Sequence, residues 1–292
     1  MKQKTNILVT GAGSQLGKSL QSLPAGDFIF DFQRKDTLDI RNKKQLNQIF
    51  EKKNFDYCLN FAAYTDVNSA EKEPEKCFDI NAKAVENLAK ICKKHDCTLV
   101  HISTDYVFDG KKDKPYDEND PTNPINIYGK SKQKGEAFIR QHLTKYIIIR
   151  TSWLYSAYNR NFVKTIIDLS AQKKELQLVN DQTGTPTFAL DLVRFILFVI
   201  QKMKRGKSDD YYGIFHFSNN GEATWFEFGE QIIKLSGSKT KIIPVTSGQF
   251  LSPAKRPAYS VLSKNKIKKV FNYEVRNWKT ALQEYFETQK ST

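Results

Sequence analysis

Thr10-Gly11-Ala12-Gly13-Ser14-Gln15-Leu16-Gly17 closes the β-rich run that begins at Asn6 and opens a helical pattern reaching Leu23. Glycines between a strand and a helix allow a tight turn. They also let the backbone approach a pyrophosphate, which the positive helix N-terminus attracts. Two glycines alone would suit an ordinary turn. Their place between strand and helix, at the head of a βαβ series, points to dinucleotide binding by Gly11, Gly13, Ser14, Gln15, Leu16 and Gly17. The next strand, Phe28 to Phe32, carries Asp31 near its end, where an acid meets an adenosine ribose 2′-OH. Arg34 and Lys35 follow at once and suit a 2′-phosphate instead, so the choice between NADH and NADPH stays open.

Outward from this turn, short apolar runs alternate with helical patterns. Strands are expected at Asn6–Thr10, Phe28–Phe32, Tyr57–Phe61, Leu99–Ser103 and Tyr146–Arg150. Helices are expected at Gln15–Leu23, Lys43–Lys53 and Ala70–His95, with another beginning near Ile127. Strands and helices in this alternation form right-handed crossovers and a parallel sheet covered on both faces. After Arg150 the alternation breaks down. Helical patterns (Phe162–Gln172, Phe188–Met203, Thr224–Leu235, Trp278–Glu287) are separated by strand-like pieces at Leu176–Val179 and Gly213–Phe217. The expected fold is α/β: a Rossmann-type doubly wound parallel sheet with a smaller, mixed α/β substrate-binding lobe. Residues 1–155, with a return at about 186–210, would form the dinucleotide-binding domain, and 156–292 mainly the lobe.

Composition narrows the function classes. The 292 residues are 39% hydrophobic and 12% aromatic, enough for a buried core. The greasiest run, Phe195 to Ile200, is far too short to span a bilayer. The basic Met1-Lys2-Gln3-Lys4 precedes only a short apolar segment, unlike a signal peptide, so a cytoplasmic protein without membrane partners is expected. Cys58, Cys77, Cys92 and Cys97 form no CxxC pair and have no histidines spaced to complete a zinc set. The net charge of +14 comes from lysines spread along the whole chain rather than one basic arm. That is a solvated surface, suited to attracting pyrophosphates, rather than a nucleic-acid interface.

The strongest chemical signal is Tyr128-Gly129-Lys130-Ser131-Lys132. On a helix, Tyr128 and Lys132 lie about 6 Å apart along the axis on one face. A phenol with a pKa near 10 is a poor acid–base group at neutral pH, and a neighbouring ammonium favours its phenolate. Upstream, Ser103-Thr104-Asp105 ends a strand and offers the Thr104 hydroxyl to a substrate oxygen. The glycine turn, this strand end and the Tyr-x-x-x-Lys helix follow in an order hard to reach by accident.

Together these pieces resemble an extended short-chain dehydrogenase/reductase. Longer stretches resemble the dTDP-4-dehydrorhamnose reductase family in particular. They are Asn60-Phe61-Ala62-Ala63-Tyr64-Thr65 with Ala70-Glu71, Ile102 to Gly110, Gly135-Glu136, Arg150 to Tyr155, Asn161-Phe162-Val163, Asp181 to Thr187, and Arg256 to Ser260. The resemblance covers nearly the whole chain, irregular half included.

It implies that Thr104, Tyr128 and Lys132 form the catalytic set. Tyr128 would protonate the sugar O4 as hydride reaches C4 from NADPH or NADH, and Lys132 would also hold the nicotinamide ribose. Asp39 and Ile40 would border the adenine, Ala62, Ala63 and Tyr64 would line the dinucleotide, and Asp105 and Trp153 would touch the sugar. Trp153 as plain core, and Asn60 and Asp105 as strand-end caps, are the rival readings. The implied reaction takes dTDP-4-dehydro-L-rhamnose to dTDP-L-rhamnose, with a nucleotide sugar as partner and a homodimer as a further expectation. Another nucleotide-sugar 4-ketoreductase, an epimerase, a dehydratase, or a non-catalytic dinucleotide-binding regulatory subunit are the alternatives. Ser14 departs from the family by replacing the middle glycine of its TGxxGxxG turn. Lys18 and Ser19 stand where a metal-binding relative would carry an acid, so no metal site is expected.

Overall fold

The computed structural model describes residues 4–206, 208–250 and 252–290; the basic start Met1–Gln3 lies outside them. Five strands fall where the apolar runs place them: β1 (Thr5–Thr10), β2 (Phe28–Gln33), β3 (Tyr57–Asn60), β4 (Thr98–Thr104) and β5 (Tyr146–Thr151). They pair in parallel, and the order across the sheet is β2, β1, β3, β4, β5, then the strand Gly213–His216. The fold is therefore the doubly wound α/β one. Strand order reverses between β1 and β3, so a crevice opens beyond their carboxyl ends.

Continuous apolar strands fit a sheet buried on both faces. Ile7, Val9, Leu59, Val100, Ile147 and Ile149 face Leu16 and Leu20 of α1 (Gln15–Gln21) and Leu192, Phe195, Ile196 and Val199 of the helix Ala189–Arg205. On the other face, Leu8, Cys58, Leu99 and Ile148 meet Leu46, Val85, Leu88 and Ile139 from three further helices. A third core, with Tyr155, Val163, Phe228, Ile232, Trp278 and Tyr285, organises the remaining part of the chain. Its strands are short and mostly paired two by two, such as Glu175–Val179 with Lys241–Val245.

Two expectations needed correction. The helix read over Ala70–His95 is broken. Pro74 takes the first position of a new turn after Glu73, whose φ of −125° and ψ of 54° are not helical, and the chain then widens into a π-helical turn at Asp79–Lys83 before Ala84–Lys94. The strand Gly213–His216, read with the irregular half, joins β5 as the sixth strand of the main sheet. Its long separation from β5 in sequence hid that pairing.

Candidate active site

Gly11 follows β1 with φ +68°, and a Cβ there would stand 2.4 Å from the Ala62 nitrogen. Only glycine fits, and the turn after β1 therefore lies directly against the chain leaving β3. Ser14, in the place of the family's middle glycine, caps α1: its Oγ accepts from the Gly17 N–H at 3.1 Å. The capping hydroxyl explains why a serine serves there. Asn159 donates to the Gly13 carbonyl at 2.9 Å, and Gln15 bonds Ser156 and Leu154, so the segment after β5 is pinned to this turn.

A cleft of about 800 Å³ runs from the turn past Gly11, Gly13, Ser14, Asp39, Ile40, Ala62, Ala63 and Tyr64, with Arg34 and Lys35 on its rim. Asp31 does not join these residues. It lies two positions before the end of β2, bonded to Gln33 and Lys53. Asp39 accepts from Arg41, which holds its carboxyl below the usual range. Both amide ends of Asn81, in the π-helical turn, hold Tyr64: Oδ1 accepts from its N–H at 2.8 Å and Nδ2 donates to its carbonyl at 2.9 Å. Asn81 Nδ2 also reaches Ser131 Oγ at 3.0 Å, and Ser131 donates to the Tyr128 carbonyl. One side chain thus ties the Ala62–Tyr64 loop to the helix carrying Tyr128.

A second cleft, of about 490 Å³, shares Ser14, Phe61 and Ala63 with the first and is lined by Thr104, Asp105, Tyr128, Lys132 and Trp153. The helix Ile127–His142 begins at Asn126, whose Oδ1 accepts from Gly129 at 2.7 Å. Gly129 lets this helix press on the Tyr106 carbonyl, 2.1 Å from where a Cβ would be. Burial raises the Tyr128 phenol's pKa well above its ordinary value, and the nearby Thr104 hydroxyl opposes this only in part. Lys132 is buried, which brings its pKa down to about 8. Its Nζ donates to the Ile102 carbonyl at 2.6 Å and stands 3.1 Å from His101 Nε2.

Asp105 is 2% exposed. Its Oδ1 accepts from Thr104 at 3.1 Å, while its Oδ2 has no hydrogen-bond partner. Burial pushes its carboxyl up to about 7, against the lowering effect of the hydrogen bond from Thr104. Trp153, at φ +45°, stacks on Trp225 with centroids 3.5 Å apart. Trp225 had no sequence signal, since a tryptophan opening an amphipathic helix reads as core. Beneath the site, Glu136 accepts from Arg150 at 2.7 and 3.0 Å and from Ser103, all of them buried. Among the described residues no helix is long and apolar enough to cross a membrane, and no cluster of histidine, cysteine or acid residues could hold a metal ion.

A parallel sheet of this order, with a glycine turn after β1, a threonine ending β4 and a Tyr-x-x-x-Lys pair in the following helix, has the architecture of the short-chain dehydrogenase/reductases. The chain belongs to the family described as RmlD substrate binding domain, whose model matches residues 5–291. It is 39% identical over 289 residues to the spore coat polysaccharide biosynthesis protein SpsK of Bacillus subtilis, covering 98% of this chain and 99% of that one. It is 35% identical to a dTDP-4-dehydrorhamnose reductase of Aggregatibacter actinomycetemcomitans over 94% of this chain and 96% of the relative. The crystal structure of dTDP-4-dehydrorhamnose reductase from Bacillus anthracis in complex with NADP superposes with a TM-score of 0.92 at 38% identity, covering 98% and 99% of the two chains.

Proposed function

We propose that this protein reduces the 4-keto group of a nucleotide-linked 6-deoxyhexose, taking dTDP-4-dehydro-L-rhamnose to dTDP-L-rhamnose with NADPH or NADH. The observation that carries this reading is the junction of the two clefts. Thr104, Tyr128 and Lys132 line the cleft under Trp153, and that cleft shares Ser14, Phe61 and Ala63 with the one beginning at the Gly11–Ala62 contact. The glycine turn, Asp39, Ile40 and Ala62–Tyr64 would hold the dinucleotide, with Arg34 rather than Asp31 at its ribose end. A bound nicotinamide supplies hydride to the sugar carbonyl carbon. Tyr128 Oη donates the proton that the carbonyl oxygen takes up, and Thr104 Oγ turns its one proton from Asp105 Oδ1 to the same oxygen. An ammonium on Lys132, one helical turn on, stabilises the phenolate left behind.

Asp105 Oδ2, lacking a protein partner, accepts a sugar hydroxyl, and Trp153 offers an apolar face to the ring. The same reading divides the chain into a dinucleotide-binding part, residues 1–155 joined by 186–210, and a substrate lobe within 156–292. Gly213–His216 adds to the first of these through its pairing with β5. A homodimer and a cytoplasmic setting complete the reading, checked by sedimentation and cell fractionation. The test of the reaction follows nicotinamide absorbance with the 4-keto sugar nucleotide generated in situ. Stoichiometric oxidation is expected, and Tyr128→Phe should keep dinucleotide binding while losing about 10²–10⁴-fold in turnover. Activity within threefold of the parent would remove Tyr128 from its role.

A further inference from the structure

The contact between His101 and Lys132 can be resolved into protons by counting donors. Asn60 Oδ1 accepts from the Ala62 backbone N–H at 3.2 Å and from the Thr10 hydroxyl at 2.7 Å. A backbone N–H only donates, so the amide oxygen must face it and the NH₂ must face His101. That NH₂ also only donates. His101 Nδ1, 2.9 Å away, is therefore the bare, accepting nitrogen of the ring. Full burial holds the imidazole neutral, so its one proton sits on Nε2 and points at Lys132 Nζ. An ammonium at Nζ would put two N–H donors head to head at 3.1 Å. An amine there accepts from His101 and still donates to Ile102.

We infer that His101 is a positioning residue that favours the neutral amine of Lys132 in the ligand-free protein, its Nε2–H donating to the lysine nitrogen. As Nζ leaves that contact it takes up a proton from solvent in the cleft and becomes the ammonium, so the charge that assists Tyr128 arises with occupation of the cleft. The other groups around Lys132 do not reverse this. Glu136, one turn on in the same helix, favours the cation but its oxygens are engaged by Arg150 and Ser103. Cys77, from Pro74–Phe78, is kept a thiol by burial. Tyr128, one turn earlier, is kept a phenol in the same way. Among the described residues His101 has only Asn60 and Lys132 as side-chain hydrogen-bond partners.

The inference rests on the proposed role of Lys132 beside Tyr128, and two readouts separate it from that role. The first needs no activity: ¹⁵N spectra of the ligand-free protein, which has four histidines. The His101 signal is assigned by elimination with His95→Gln, His142→Gln and His216→Gln. Protonated Nε2 and bare Nδ1 are expected above pH 8, where the amine of Lys132 prevails. A protonated Nδ1 there, or an imidazolium at pH 6, overturns the inference whatever the protein catalyses. The second is the pH profile of kcat/KM, which reports free-enzyme groups. In His101→Gln the side-chain carbonyl can turn to Lys132 and favour the ammonium. The alkaline limb should then move up by at least about half a unit. A uniform loss at all pH values, with the limb unmoved, makes His101 a packing residue only. If the variant does not fold, or the protein shows no reductase activity, the spectra decide alone.

Discussion

Replacing Asp105 by asparagine converts a buried, half-partnered carboxylate into a neutral group of the same shape. The folded-state pKa of about 7 lies above the unfolded value of 3.8. The native state therefore holds its proton more tightly than the unfolded chain between these values. Wild-type stability should fall as pH rises from about 4 to about 7 and be level above that. At about 1.4 kcal/mol per unit, the gap of roughly three units makes the buried anion cost about 4 kcal/mol at pH 8. Asparagine escapes that cost, but it places an amide beside the partnerless Oδ2 position, and an unpaired buried donor costs about 1–3 kcal/mol. A net gain of about 1–3 kcal/mol remains at pH 8, or a rise in Tm of roughly 2–5 °C for a chain of this size. At pH 4 the gain should vanish. Thermal unfolding of the two ligand-free proteins at pH 4, 5, 6, 7 and 8 measures the difference directly. A Tm difference that does not change with pH, or an asparagine variant less stable at pH 8, would refute the reasoning. The same variant should bind the sugar nucleotide more weakly, because Oδ2 is the acceptor proposed for its hydroxyl. Stability and substrate binding then change in opposite directions.

Gly11→Ala puts a methyl 2.4 Å from the Ala62 nitrogen at a φ of +68°, so dinucleotide affinity measured by fluorescence titration should drop at least about tenfold. Glu136→Gln leaves the buried Arg150 without its counter-charge, and urea unfolding should show a loss of about 3–5 kcal/mol. Arg34→Ala should weaken NADPH about tenfold relative to NADH in the same titration, since Arg34 stands beyond the end of β2 on the cleft rim. Equal loss for both cofactors would place the 2′-phosphate elsewhere.

Much of this was legible in the sequence because the signals were local. A glycine turn between strand and helix, an apolar run of strand length and a four-residue spacing are each carried by neighbours in the chain. They place Gly11, Thr104, Tyr128 and Lys132 without any knowledge of distant contacts. Asp31 misled because β2 runs one residue further than its hydrophobicity suggests, to Gln33, and Asp31 pairs with Gln33 and Lys53 instead. The unread part is what depends on remote partners. His101 looks like one more residue of a buried strand until Asn60 and Lys132 arrive on either side of its ring. Asn81 shows its double hold on Tyr64 only because the π-helical turn aims it there. The pairing of Gly213–His216 with β5 spans more than sixty residues, a separation at which pattern and propensity say nothing.

That last pairing bears on how the protein is made. When a ribosome has released residues up to β5, the sheet ends in an open edge. The face carrying Ile7, Val9, Val100, Ile147 and Ile149 still lacks the helix Ala189–Arg205 and the Phe215, Phe217, Ile267 and Phe271 side chains that close it. The nascent first half is thus a sticky intermediate, with an unpaired strand and a bare apolar face, until nearly the whole chain has emerged. Truncation after the fifth strand should give an aggregating fragment rather than a soluble nucleotide-binding module. For the same reason the irregular half cannot be exchanged between relatives as a cassette, because it carries part of the wall that the first half needs to stand.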